Sequence, residues 1–216
     1  MNLLLRLAAI ALLALPITSI AATAPRTPVQ GEDYEVIDDG APYQSVKGTV
    51  EVAEVFGYPC SHCAHFEPTL EAWVKTLPKQ ARFVAVPADF RDAWIPFARA
   101  YFAAQSLGIA QRSHAAMYTA LHDEQSLPMS DASPEEIATF YQRYGIAPAR
   151  FIAAYNAATV DAQMKHAHDF IVRSEVDGTP TIIVAGRYKV TTNSREGQLA
   201  TAMWLVKREL ATPARR

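Results

Sequence analysis

The chain has 216 residues, half of them hydrophobic, with 20 basic and 22 acidic side chains and a formal charge of −2. That is enough for one domain with a sizeable core or two closely joined ones. The charge balance excludes the basic excess that a nucleic-acid surface or an anionic membrane would require, so no nucleic-acid partner is expected.

Arg6 and the amino terminus precede an unbroken apolar run, Leu7 to Leu15, and Pro16 gives way to the small residues Ser19-Ile20-Ala21-Ala22. This is the pattern of a secretory signal peptide over residues 1–21, cleaved near Ala21. The alternative, an uncleaved membrane anchor, meets a run too short to span a bilayer. Export would place the chain in an oxidising compartment that tolerates disulfides.

Tyr34 to Ile37 reads as a short first strand and Thr49 to Phe56 as a stronger one. By the two-residue period, Val50, Val52, Glu54 and Phe56 share one face of the second strand. Gly57-Tyr58-Pro59 is a turn, and a helix starts around Cys60. Phe66, Leu70, Trp73, Val74 and Leu77 form its apolar stripe, Pro68 should kink it and Pro78 should end it. Arg82 to Val86 is a third strand. Strand–helix–strand order requires a crossover, so the second and third strands should be parallel neighbours.

From Asp92 to Val176 the pattern is helical. Helices are expected over Trp94–Leu107 and Arg112–His122. Ser133-Pro134-Glu135-Glu136 opens another with a capping box, which Gly145 ends. Pro148 starts the next, and Thr159–Arg173 completes the block. Beyond Gly178-Thr179-Pro180, the strands Thr181–Ala185 and Tyr188–Thr191 flank Gly186-Arg187, a hairpin signal. Asn193, with Glu196 three residues on, should cap a last helix with the stripe Leu199, Met203, Val206 and Leu210. Met117, Met129, Met164 and Met203 read as core.

The two cysteines, in Cys60-Ser61-His62-Cys63, are the only ones. At this spacing both sulfurs meet across the first turn of a helix, where a strand delivering them makes the working end of a thioredoxin-like redox protein. The expected fold is therefore α/β: a thioredoxin-like mixed sheet over residues 22–91 and 177–216, with a large inserted helical subdomain over residues 92–176. A staple closing so short a loop would restrict the unfolded chain little. Zinc is the rival reading, with His62 and His65 nearby, but no second ligand pair stands at suitable spacing. Covalent haem attachment fails because Ala64 stands where a histidine is required. No metal and no cofactor are expected.

The chain resembles the DsbA family of periplasmic thiol–disulfide oxidases over essentially its whole mature length. The motifs that carry this are the strand with Glu54, Cys60-Ser61-His62-Cys63 followed by Phe66-Glu67, the helical insertion, and Gly178-Thr179-Pro180 leading into the hairpin. The resemblance implies a monomeric protein in the periplasm of a Gram-negative bacterium. It would donate its disulfide to unfolded or newly exported proteins and be recharged by a membrane quinone-linked oxidase of the DsbB type. The family's best-known member has proline where this chain has Ser61, a residue other than threonine at position 179, and lysine where the aligned position is Phe83.

Cys60 is the expected nucleophile, because a helix N-terminus favours a thiolate. His62 would add a hydrogen bond or a charge, unless it is simply exposed, and Cys63 would be the buried partner. Glu54 is either solvated at the sheet margin or buried below Cys63, where it would handle protons during exchange. Ser61, His62, Thr179 and Pro180 are the expected substrate contacts, at the centre of an exposed apolar groove. By the fold resemblance the Thr179–Pro180 bond should be cis. An isomerase or reductase of the same superfamily, and a noncatalytic binding module, are the other readings.

Overall fold

The computed structural model describes residues 26–212; the expected signal peptide lies outside them. Five strands form one mixed sheet: β1 (Tyr34–Val36), β2 (Val50–Phe56), β3 (Ala81–Pro87), β4 (Thr181–Val184) and β5 (Tyr188–Val190), in the order β1-β5-β4-β2-β3. β2 pairs parallel with β3, as the crossover requires, and antiparallel with β4. A strand held on both sides with six of its seven residues buried is a rigid mount for the turn and helix at its end.

Among the described residues seven α-helices cover the sheet: α1 (Ser61–Val74), α2 (Ile95–Ser106), α3 (Ala110–His122), α4 (Pro134–Tyr141), α5 (Pro148–Tyr155), α6 (Ala158–Arg173) and α7 (Arg195–Ala211). On one face Phe66 and Leu70 of α1 and Leu199, Leu205 and Val206 of α7 close over Val52, Ile182 and Val184. Burying a side chain such as Phe66 contributes about 2–3 kcal/mol. On the other face Ala53, Val55 and Ile183 join a larger core with the helices between β3 and β4, among them Phe97 of α2 and Phe170 and Ile171 of α6.

Several local expectations shift. Helix α1 stops at Val74, short of Pro78, where the N–H and hydroxyl of Thr76 both bond the Trp73 carbonyl at 2.8 and 2.7 Å. The capping box of α4 is present: Ser133 Oγ accepts from the Glu136 N–H, and Glu136 Oε2 accepts from the Ser133 N–H. At α7 the cap is Ser194 rather than Asn193. Its Oγ accepts from the Gly197 N–H at 3.0 Å, which leaves Glu196 one position out of capping-box register. Leu210, the end of the expected stripe, is exposed, as is Met129. The hairpin turns through Ala185 and Gly186, both with positive φ, rather than Gly186-Arg187. Gly186 is needed there twice over, since a Cβ would also run into the Ala41 carbonyl carbon.

Candidate active site

The turn after β2 sets Cys60. Its N–H donates to the Gly57 carbonyl at 3.0 Å, and Gly57 has no room for a Cβ, which would collide with the Trp94 ring. Cys60 is thereby the N-cap of α1, with φ −81° and ψ 113°. Its Sγ accepts from the Cys63 N–H at 3.4 Å, as a capping side chain should. The sulfur also lies 3.5 Å from the Thr179 carbonyl, across the site, and the Thr179–Pro180 bond is cis.

The hydrogen-bond donors around the sulfur act on its charge. The thiol of Cys63 and, more weakly, the side chain of Thr179 and the N–H groups of Cys63 and His62 stabilise a Cys60 thiolate, outweighing partial burial and pulling its pKa down to about 5. His62 contributes through its backbone N–H; its imidazole is exposed, as is Ser61 at the first helical position. Cys63 is the opposite case. It is fully buried, and burial, its hydrogen bond to Cys60 and the charge of Glu54 together push its thiol far up. Both cysteines are free thiols in this structure.

Glu54 is interior, not at the sheet margin. It sits mid-strand on β2, opposite Ala85 of β3 and Ile182 of β4, and is 1% exposed. Its Oε2 has no hydrogen-bond partner. Burial raises its pKa well above the carboxylate range, and the neighbouring charges of Glu67 and Cys60 add to this. A carboxyl so placed resists ionisation, and in its protonated form it carries a proton it can give.

Three further residues belong to this interior that sequence reasoning did not assign. Glu67 follows Cys63 by four residues, on the same face of α1. His114, from α3, lies with Nε2 3.6 Å from a Glu67 oxygen, and its Nδ1 is 2.8 Å from the Tyr58 hydroxyl. Phe56, Tyr58, Tyr101 and Tyr118 pack around the imidazole. Donor atoms of Glu54, Glu67 and His114 lie within 4.8 Å of one another, the one set among the described residues that could share an ion. Three donors fall short of the four of a closed zinc site.

An open groove of about 610 Å³ begins at His62, Thr179 and Pro180, where substrate contacts were expected. Its walls are not apolar. Lys189, Asn193, Arg195 and Gln198 line it, because the strand β5 and the start of α7 present their polar sides here. Apolar surface lies instead by the Gly57 turn, where Phe90 and Trp94 pack 5.9 Å apart beside the exposed Ile95.

Residues 51–203 match the sequence model of the DSBA-like thioredoxin domain family. A "thiol:disulfide interchange protein DsbA" of Burkholderia cepacia is 34% identical over 191 residues, 87% of this chain and 89% of that protein. One of Pseudomonas aeruginosa is 33% identical over 184 residues, 84% of this chain and 85% of that one. The crystal structure of oxidoreductase DsbA from Xylella fastidiosa superposes with a TM-score of 0.85 at 46% identity, covering 87% of this chain and all of that one. With its sheet order, its helices on both faces and its cysteine pair at the start of α1, the chain belongs to the DSBA-like thioredoxin domain family.

Proposed function

We propose that this thiol:disulfide oxidoreductase gives its Cys60–Cys63 disulfide to newly exported proteins. The observation that carries the reading is the asymmetry of the two sulfurs: Cys60 Sγ caps α1, where the Cys63 thiol and N–H hold its pKa down to about 5, while burial pushes the Cys63 thiol upward. A stabilised Cys60 thiolate stabilises the reduced protein and makes the disulfide form an oxidant.

In the exchange, a substrate thiolate attacks Cys60 Sγ, the S–S bond breaks, and the electron pair leaves on Cys63. That sulfur cannot hold a charge in the interior and takes a proton from Glu54. A second substrate thiolate attacks the substrate sulfur of the mixed disulfide, and Cys60 departs as a thiolate, a good leaving group at its low pKa. Two substrate thiols are oxidised, two electrons rest on the cysteine pair, both substrate protons go to solvent, and one proton returns from solvent to replace the one Glu54 gave to Cys63.

An extended substrate segment would pair with the backbone at Thr179, in the manner of an added strand, with Ser61 and His62 on its other side. A signal peptide over residues 1–21 would bring the protein to the periplasm, where a membrane quinone-linked oxidase of the DsbB type would recharge it. Among the described residues no helix is long and apolar enough to cross a membrane.

Mixing the oxidised protein with a reduced, unfolded substrate that needs disulfides tests this reading. Stoichiometric disulfide transfer, faster than catalysis of insulin reduction by dithiothreitol, is the expected result. The reverse ranking would make the protein a reductase.

A further inference from the structure

A proton taken from Glu54 must be replaced, and Glu54 has no direct route to water: it is 1% exposed and one of its oxygens is bonded to nothing. The polar groups adjoining it lie on α1 and α3. Glu67 and His114 each place a donor atom within 4.8 Å of a Glu54 oxygen and of each other. Their side chains are 11% and 13% exposed, so the set runs from a sealed carboxyl toward the surface. Glu67 also lines a cavity of about 160 Å³ between α1 and α3, with His65, His122 and Asp123 at its walls. That is room for a few waters among polar partners.

We propose that Glu67 and His114 are the proton path between Glu54 and solvent, and that the α1–α3 cavity is its outlet. The inference rests on the proposed role of Glu54, the exchange of a proton with Cys63. The imidazole is fixed for the task. Tyr58, fully buried, has its hydroxyl on Nδ1, and a donated O–H there leaves Nε2 to carry the hydrogen that faces Glu67. Tyr58 is itself held from α3, where His122 Nε2 lies 2.8 Å from the Tyr58 carbonyl oxygen.

When Cys63 is reduced, its sulfur gains the proton of Glu54. Glu54 regains one from the Glu67 carboxyl, or from His114 as an imidazolium whose Nδ1–H donates to the Tyr58 oxygen, and the donor is refilled from water in the cavity. On reoxidation the same protons travel outward. The titratable groups that face the imidazole are Glu54 on β2, Tyr58 after it, Glu67 on α1, Tyr101 on α2 and Tyr118 on α3. The three tyrosines are all held as neutral phenols by burial, which leaves the two carboxyls as the proton-exchanging partners.

The test is a single turnover: closure of the Cys60–Cys63 disulfide from a mixed disulfide between Cys60 and glutathione, in which Cys63 must lose its proton. Three variants are compared across pH. His114→Asn keeps an amide near the Nδ1 position for the Tyr58 hydroxyl and removes Nε2. Glu67→Gln removes the exchangeable proton at the cavity wall, and Glu54→Gln removes the proton acceptor itself. His114→Asn and Glu67→Gln are each expected to slow closure on the order of ten-fold, the low end of what proton transfer by a positioned group supplies. Imidazole buffer should restore the rate in proportion to its concentration, while the pH profile of Cys60 alkylation stays in place. Slowing without buffer rescue, or no slowing while Glu54→Gln is slow, overturns the path and leaves Glu54 in its role. An unaffected Glu54→Gln overturns the role of Glu54 and the path with it.

Discussion

The N–H of Cys63 points at the sulfur of Cys60 across 3.4 Å, so the buried cysteine helps to hold the charge of the exposed one. The same pair also sets the two sulfurs apart, since whatever favours the thiolate on Cys60 disfavours a second one on Cys63. Asymmetry of this kind lets one sulfur meet substrates while the other resolves the intermediate.

Cys60 alkylation should therefore follow a titration centred near pH 5. The thiolate is the reactive form, so the rate should be flat above about pH 6.5. Iodoacetamide kinetics from pH 3 to 9 measure it. A rate still climbing through pH 8 would mark an ordinary thiol and remove the basis for an oxidase.

The reduced protein should be the more stable redox form, by a margin that depends on pH. The Cys60 pKa falls from 9.0 to about 5 on folding. A depressed pKa contributes stability that is full above the unfolded value and is lost as pH falls through the folded value. The oxidised protein has no such group. Urea midpoints of the two forms should thus be furthest apart near pH 9, above which the raised pKa of Cys63 opposes any further gain, and converge as pH drops toward 4. A gap that widens on acidification would contradict the assignment.

Glu51 gives a prediction on stability alone. It is 2% exposed and accepts from the N–H groups of Tyr43 and Gln44 at 2.6 and 2.9 Å and from Arg82 at 2.7 Å. Glu51→Gln would set an amide donor against one of these donors and strip Arg82 of its countercharge. A cost of about 2–4 kcal/mol is expected, as for other broken buried pairs. A lowered urea midpoint at unchanged slope, with the Cys60 titration unmoved, is the outcome to look for. A loss under about 1 kcal/mol would mean that water replaces the carboxylate without penalty.

Much of this site could be read from local pattern, and the rest could not, for a physical reason. The cysteine spacing and the strand before it are local features, and Glu54 on the face it shares with Val50, Val52 and Phe56 is a local anomaly. Glu67 was within reach, because its place four residues beyond Cys63 puts both on one helix face. His114 was not. It lies on α3, and only the packing of α3 against α1 brings it to Glu67. The polar walls of the groove depend likewise on how β5 and α7 meet β4, which no periodicity within any one segment specifies.

Pro180 tests the substrate side of the site. The Thr179 carbonyl stands 3.5 Å from Cys60 Sγ, and the residue after it has no N–H to offer. A substrate segment lying along Thr179 therefore meets a backbone that leaves one of its own carbonyls unbound, and it can depart once its disulfide has formed. Pro180→Ala would supply the missing donor beside the sulfur. One added backbone hydrogen bond is worth about 1 kcal/mol, or about five-fold in the rate of release. Mixed disulfides between Cys60 and substrate should then accumulate during turnover, visible on nonreducing gels and absent after dithiothreitol. The pH profile of Cys60 alkylation should be centred at or below 5, since Pro180 is not among the groups that hold the thiolate and an added N–H beside the sulfur can only favour it. Normal turnover with no trapped species would reduce Pro180 to the start of a strand.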